Sequence, residues 1–392
     1  MTRRNKGCNI TNLSTLVISE LNHFVQIRDF WDQELKDHID DPFLFSSLII
    51  EQWKLNQQLG CHPFLLIFLS EKKIVGFAPL LIKTRFGFRY VSSFDSYTCP
   101  EFFQDNLREK CVDQIVNILF RQLNCKSADI NFRDEPANQR IVDKVCRNRN
   151  LNYTLFPQEG RAIIPVRNSL DSFRRSLNRK NVKEFGRLHR KLDKLGPWQI
   201  SNFDLYNTSI IKIWEVESHS WKAKLKGKRK GIKDLGLSSI LKGVKRNQEG
   251  KPYFESEVWF LELNNKPIAY VLTMKRNKTE FFAKTSFDSR FKDVSPGIIL
   301  MNYLIERIFV NKVADKIDFI SNLSFVQVWK PLVEKRIYCR ILRNVVLSRF
   351  RNLVFENRII RKTSQILENI KWKKRNQMIA NSRIVRQEVR PL

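Results

Sequence analysis

The stretch Ser286-Phe287-Asp288-Ser289-Arg290-Phe291-Lys292-Asp293-Val294-Ser295-Pro296-Gly297-Ile298-Ile299-Leu300 changes character at its middle. It follows directly on a strand-like run over 279–285, and from Ile298 its apolar residues begin a helix. Ser295 stands where an N-cap is expected, Pro296 suits the first helical turn, and Gly297 lets a ligand approach the backbone. The N–H groups and positive end of such a helix suit a phosphate. Alone, Ser-Pro-Gly before a helix is equally a plain capping motif, so its meaning depends on its surroundings.

Those surroundings contain the same order of elements twice. Upstream, helices near 205–222 and 234–248 precede a strand at 258–263, the turn Asn264-Asn265-Lys266, and strands at 267–274 and 279–285. Downstream come the helix from Gly297, the strand Lys316-Ile317-Asp318-Phe319-Ile320, a short helix near 324–334 and a strand at 336–342. In the first half, a helix at 45–59 leads to strands at 64–69, 74–82 and 88–92, then a helix near 106–123, a strand at 128–132 and a helix near 137–149. The hairpins align: Lys73-Ile74-Val75-Gly76-Phe77-Ala78 falls on Lys266-Pro267-Ile268-Ala269-Tyr270-Val271. A period of about 190 residues is too long for a solenoid and reads as two copies of one α+β domain, although many α+β chains can be cut this way.

The 392 residues carry 70 Lys+Arg against 40 Asp+Glu, a formal charge of +30, which calls for an anionic partner. The excess is local. Residues 1–160 are nearly neutral, whereas 161–250 hold 22 basic and 8 acidic side chains and 341–392 hold 13 and 3. Seven cysteines without a Cys-x-x-Cys pair, and histidines without ligand spacing, give no metal site and no disulfide framework. No apolar run reaches the length of a membrane span or a signal-peptide core, so a reduced, cytoplasmic chain is expected. There is neither a GxGxxG nor a Walker loop.

Two segments hold the charge. Ser169 to Leu195 reads as one long amphipathic helix, with Leu177, Phe185, Leu188 and Leu192 on one face and Arg179, Lys183, Arg187 and Arg190 on another, ended by Gly196-Pro197. The tail 341–392 is helical in pattern, and it either docks on the second domain or lies on the anionic inner face of a membrane. The expected division is an N-terminal domain over 1–160, a C-terminal domain over 161–340 and this basic tail.

In order and spacing these pieces resemble the GNAT superfamily of N-acyltransferases, and within it the CelD-like acetyltransferases, related in fold to the Fem-type aminoacyltransferases. The resemblance rests on Trp53; Val75-Gly76-Phe77-Ala78-Pro79-Leu80; the basic helix; Glu217 with Ser220-Trp221-Lys222; Ile268-Ala269; Phe287-Asp288 with Phe291; Ser295-Pro296-Gly297; Asp318-Phe319; and Trp329. It implies a tandem GNAT fold whose second copy binds acetyl-CoA or another acyl-CoA, with no metal. The acyl group would pass to an amine, on an amino sugar or a surface-polysaccharide precursor. The pyrophosphate would sit at Ser295, Pro296 and Gly297, with Phe287, Arg290 and Lys292 beside it. Glu217 and Asp288 are the candidate bases, and Trp221, Lys222 and Trp329 the acceptor contacts. Where family members show a Tyr-Lys pair before the late Trp, this chain has Phe325 and Val326, and Ser321 replaces a Gly. The first copy lacks a Ser-Pro-Gly and is expected to be a structural or acceptor-positioning domain. The alternative from another class is a noncatalytic protein that presents its basic segments to a membrane or, less favoured, to nucleic acid.

Overall fold

The computed structural model describes residues 13–85, 88–94, 98–205, 207–220, 223, 235–250 and 252–343. The first copy contains β1 (Leu13–Ile18), α1 (Leu21–Leu35), α2 (Ser46–Gln58), β2 (His62–Ser70), β3 (Lys73–Arg85), β4 (Phe88–Ser93), β5 (Glu101–Phe102), α3 (Asp105–Asn117), β6 (Ser127–Arg133), α4 (Pro136–Asn148) and β7 (Asn152–Pro165). Helices α5 (Leu170–Ser176) and α6 (Arg179–Asp193) follow. The second copy contains β8 (Trp198–Phe203), α7 (Asn207–His219), α8 (Leu235–Glu249), β9 (Glu255–Leu263), β10 (Lys266–Arg276), β11 (Thr279–Phe287), α9 (Pro296–Asn311), β12 (Lys316–Asp318) and β13 (Leu332–Leu342).

All strands form one sheet, in the order β1-β2-β3-β4-β6-β13-β7-β12-β11-β10-β9-β8, with β5 on β3. The two ends mirror each other, as duplication requires. Both hairpin turns even use two consecutive residues with positive φ, Glu71-Lys72 and Asn264-Asn265, which matches the twist of the paired strands. The centre exchanges strands: β13, last of the second copy, lies between β6 and β7, while β7 lies between β13 and β12. The expected boundary at 160 therefore falls inside β7, and the one at 340 inside β13.

Alternation along the strands divides the core into three. Leu65 and Ile67 of β2 join Phe260, Tyr270 and Leu272 of the second copy in one cluster beneath α1, α2, α7 and α8. Phe64, Leu66 and Phe68 point the other way, to α3 and α4, with Ile337, Cys339 and Ile341 of β13. On the second copy's opposite face, α6 and α9 cover Leu261, Val271 and Phe282. Where α8 crosses α2, a Cβ on Gly243 would lie 2.5 Å from the Leu48 side chain and 3.0 Å from the Ser47 carbonyl oxygen.

Three expectations change. The helix from 169 to 195 is two helices, because Leu177 adopts an extended backbone (φ −73°, ψ 160°) and buries its side chain in the second copy's core. The helix near 324–334 is a 3-10 turn over Ser324–Trp329, and the strand after it starts at Leu332. Strands β1, β7 and β8 and helix α1 are additions, since their mixed polar and apolar residues give no clean period. The tail beyond residue 343 and the Lys-rich stretch 224–234 lie outside the described residues. Gly243→Val should force α2 and α8 apart and lower unfolding stability by about 1–3 kcal/mol; an unchanged urea midpoint would refute the close crossing.

Candidate functional site

β11 pairs in parallel with β12 through only three residues, Thr279, Glu280 and Phe281, while β11 continues to Phe287. Beyond Phe281 the two strands separate, and among the described residues no strand pairs with β11 on that side. A bulge in the pairing with β10, between Leu272 and Thr273, resets which residues face each layer. Lys284 and Ser286 then pair with Leu272 and Tyr270, whose side chains lie beneath α7 and α8. Thr285 and Phe287 face α9: a Cβ on Gly297 would meet Phe287 Cδ1 at 3.6 Å and the Thr285 hydroxyl at 4.0 Å. One strand therefore separates two surfaces.

On the α9 surface, Asp288 follows β11 and accepts a hydrogen bond from the Arg290 N–H at 2.9 Å, which starts the 3-10 turn Ser289–Val294. Its second oxygen takes the Arg290 guanidinium at 2.5 Å. Burial to 2% exposure pushes this carboxyl up, but the bonds from Arg290 outweigh it and hold it below the ordinary range. Asp288 is thus a capping carboxylate with both oxygens engaged, and Arg290 is committed to it, while Lys292 is exposed. Ser295 occupies the cap position of α9 in a left-handed conformation (φ 47°, ψ 58°). Contrary to the sequence expectation, its hydroxyl does not cap the helix; its carbonyl receives the N–H groups of Ile298 and Ile299, at 2.9 and 3.3 Å. Pro296 has no N–H, so Gly297 supplies the first one of the helix, beside the half-buried Phe287. Helix α6 packs here, its Lys191 Nζ 3.4 Å from the Asp293 carbonyl oxygen.

On the other surface, Glu217 of α7 is 8% exposed and accepts from the Tyr270 hydroxyl at 2.7 Å and the Ser220 hydroxyl at 3.3 Å. Tyr270 faces Ser286 across the β10–β11 pair, and the buried Ser286 Oγ has no partner. Trp221 and Lys222 lie outside the described residues. Trp329, the expected acceptor contact, is a core side chain. It is 1% exposed, packed between Phe185 and Phe319, with its indole N–H donated to Asn302 at 3.2 Å.

A cavity of about 520 Å³ opens between the copies on this same surface, walled by α2, α8 and β11 and floored by charged residues, of which the sequence singled out only Asp318. Arg161 of β7 donates to Asp41 at 2.6 Å and lies 3.4 Å from Asp318, and Arg133 pairs with Glu101 at 2.9 Å. Burial pushes the Asp318 carboxyl up, against the pull of Arg161 and of the Ile320 N–H, which donates to it at 2.6 Å. Ile320 holds φ at 63°, a left-handed conformation that a β-branched residue adopts only under constraint. Among the described residues no group of acidic, histidine and cysteine side chains fits a metal.

Comparison with known proteins agrees with this architecture. Residues 179–322 match the family model described as the acetyltransferase (GNAT) domain. The fold is similar to the crystal structure of FemX, with a TM-score of 0.53, 13% identity, and coverage of 83% of this chain and 96% of that one. It is also similar to a conserved protein of unknown function from Bacteroides thetaiotaomicron, with a TM-score of 0.50, 10% identity, and coverage of 84% and 100%. A tandem GNAT protein from the clavulanic acid biosynthesis pathway is found at a TM-score of 0.48 and 8% identity, covering 84% of this chain and 98% of that one. No curated protein sequence matches. Arg161→Met would leave the buried Asp318 and the half-buried Asp41 without their cation and should cost about 3–5 kcal/mol of stability, partly recovered by adding Asp318→Asn; denaturant unfolding of the single and double variants checks this.

Proposed function

We propose that this chain, which carries a GNAT acetyltransferase domain and is an acyltransferase, transfers an acyl group from acyl-CoA to an amine held in the cavity between its two copies. The observation that carries the reading is the position of β11. Its Thr285 and Phe287 form a cradle at Gly297, and its Phe281, Ala283 and Lys284 wall the cavity on the other surface. The two lie within about 10–20 Å along a strand that rises about 3.3 Å per residue. A thioester laid against the unpaired edge of β11 would reach both.

In the reaction, the amine nitrogen attacks the thioester carbonyl carbon, the N–C bond forms, the C–S bond breaks and the thiolate leaves to take up a proton. A backbone N–H on the free edge of β11 would polarise the carbonyl oxygen. Glu217 is the favoured base: it lies on the α7 side of the sheet, outside the cavity lining, and its carboxylate is fixed by Tyr270, which faces the unpartnered Ser286 hydroxyl of β11. Asp288, closed off by Arg290, would shape the α9 entrance instead. We assign the cradle at Ser295, Pro296 and Gly297, with Phe287 and Lys292, to the pantetheine pyrophosphate. The acceptor would be an amino sugar or a surface-polysaccharide precursor, as the CelD-like resemblance implies. The enzyme would work in the cytoplasm, at the inner face of the membrane if its tail binds there.

Calorimetric titration with acetyl-CoA at moderately high salt, with ATP as the control for charge-driven binding, tests the cradle. Micromolar binding of the thioester alone is expected. Gly297→Trp should abolish it, whereas Gly297→Ala should melt like the wild type because its Cβ meets only ordinary contacts. Equal binding of ATP and acetyl-CoA would overturn the assignment. Glu217→Gln should lower kcat about 10²- to 10⁴-fold with acetyl-CoA affinity unchanged; steady-state rates against an amine panel decide whether Glu217 is the base.

A further inference from the structure

Arg336 lies on β13 with 4% of its surface exposed, on the wall of the cavity between the copies. Neither its Nε nor its Nη1 has a hydrogen-bond partner, and no ion pair to it is formed among the described residues. Glu101 lies within electrostatic reach of Arg336, but its ion pair is with another arginine. Glu101 binds Arg133, Asp41 and Asp318 flank Arg161, and Glu334 lies within electrostatic reach of both those arginines. Arg161 also has an unpartnered Nε on the same wall.

A guanidinium stays charged at any physiological pH, so burying one with two nitrogens unbonded is costly. The sheet does not need the side chain: β13 pairs with Arg133 and Gln158 through the backbone of Arg336. An apolar residue would fill this place at lower cost if nothing polar came to it.

We propose that the cavity holds its acceptor by an oxyanion, a carboxylate or a phosphate, seated on Arg336 with Arg161 behind it. This rests on the reading of the cavity as the acceptor site. A planar guanidinium offers two parallel N–H bonds to such a group, and bidentate contact fixes orientation as well as position. The acceptor is then an amine that also carries a negative charge, held by that charge at the β7–β13 end of the cavity so that its nitrogen points to β11.

The test compares matched acceptors with the full-length chain: amino acids against their amides, and glucosamine 6-phosphate against glucosamine. Wild type should favour the anionic member of at least one pair, and the pair that responds separates carboxylate from phosphate. Arg336→Met should raise KM for that member roughly 10- to 100-fold with kcat and acetyl-CoA affinity little changed. Arg336→Lys should recover part of the loss. In a second arm, inorganic phosphate at constant ionic strength should raise the melting temperature of the wild type and not of Arg336→Met. Equal kcat/KM within every pair, or a preference and phosphate shift that survive in Arg336→Met, would overturn the inference and leave the acyl-transfer reading intact. A variant that melts lower without phosphate and loses kcat at unchanged KM would show a structural role and overturn it as well. If the wild type binds no acetyl-CoA and modifies no amine, the acyl-transfer reading fails, and the phosphate arm alone decides the Arg336 site.

Discussion

The exchange of last strands at the centre of the sheet is the constraint on which the rest depends. A strand's backbone N–H and C=O groups must be paired when buried, and neither copy pairs them alone. β6 finds its partner in β13 from the second copy, and β12 finds its partner in β7 from the first. The copies therefore cannot drift apart without breaking ladders in both halves. Their helices α2 and α8 are brought so close that a Cβ at position 243 would press on the Leu48 side chain and the Ser47 carbonyl.

The same exchange places the charges. Arg161 travels into the cavity on β7 and Arg336 on β13, so the floor between the copies is built from strands that each belong in sequence to the other side. Asp41 and Arg161 meet although 120 residues separate them. Arg161 offsets the buried Asp318 and the half-buried Asp41, and its removal would strand both. Burial makes this network strict, because an unpaired charge there has no water to turn to.

β11 connects the cavity to the start of α9. Its short parallel contact with β12 ends at Phe281, and the part of β11 beyond it lies between the cavity and the start of α9 at Gly297. The strain at Ile320, next to Asp318, sits where β12 turns away from β11. A backbone held against its preference where two strands part is the kind of position that function, rather than folding economy, maintains.

Much of this was legible from the chain alone. The two hairpins, the duplication, the helix opening at Pro296 and the basic face of α6 follow from alternation, turn residues and local periodicity, all of which act within a few residues. Local signals also misled: Ser295 looks like a side-chain cap but its left-handed backbone turns the hydroxyl away, Leu177 breaks a helix that periodicity continues, and Trp329 is a core residue. The cavity and its arginines were beyond reach, since Arg161 and Arg336 sit in ordinary strand sequence and gain meaning only from partners far along the chain. The sequence determined which segments become strands and helices, because propensity and period are local. Only the tertiary structure decided which strand lies beside which, and so which charges are buried together, because desolvation depends on neighbours that the chain brings in from a distance.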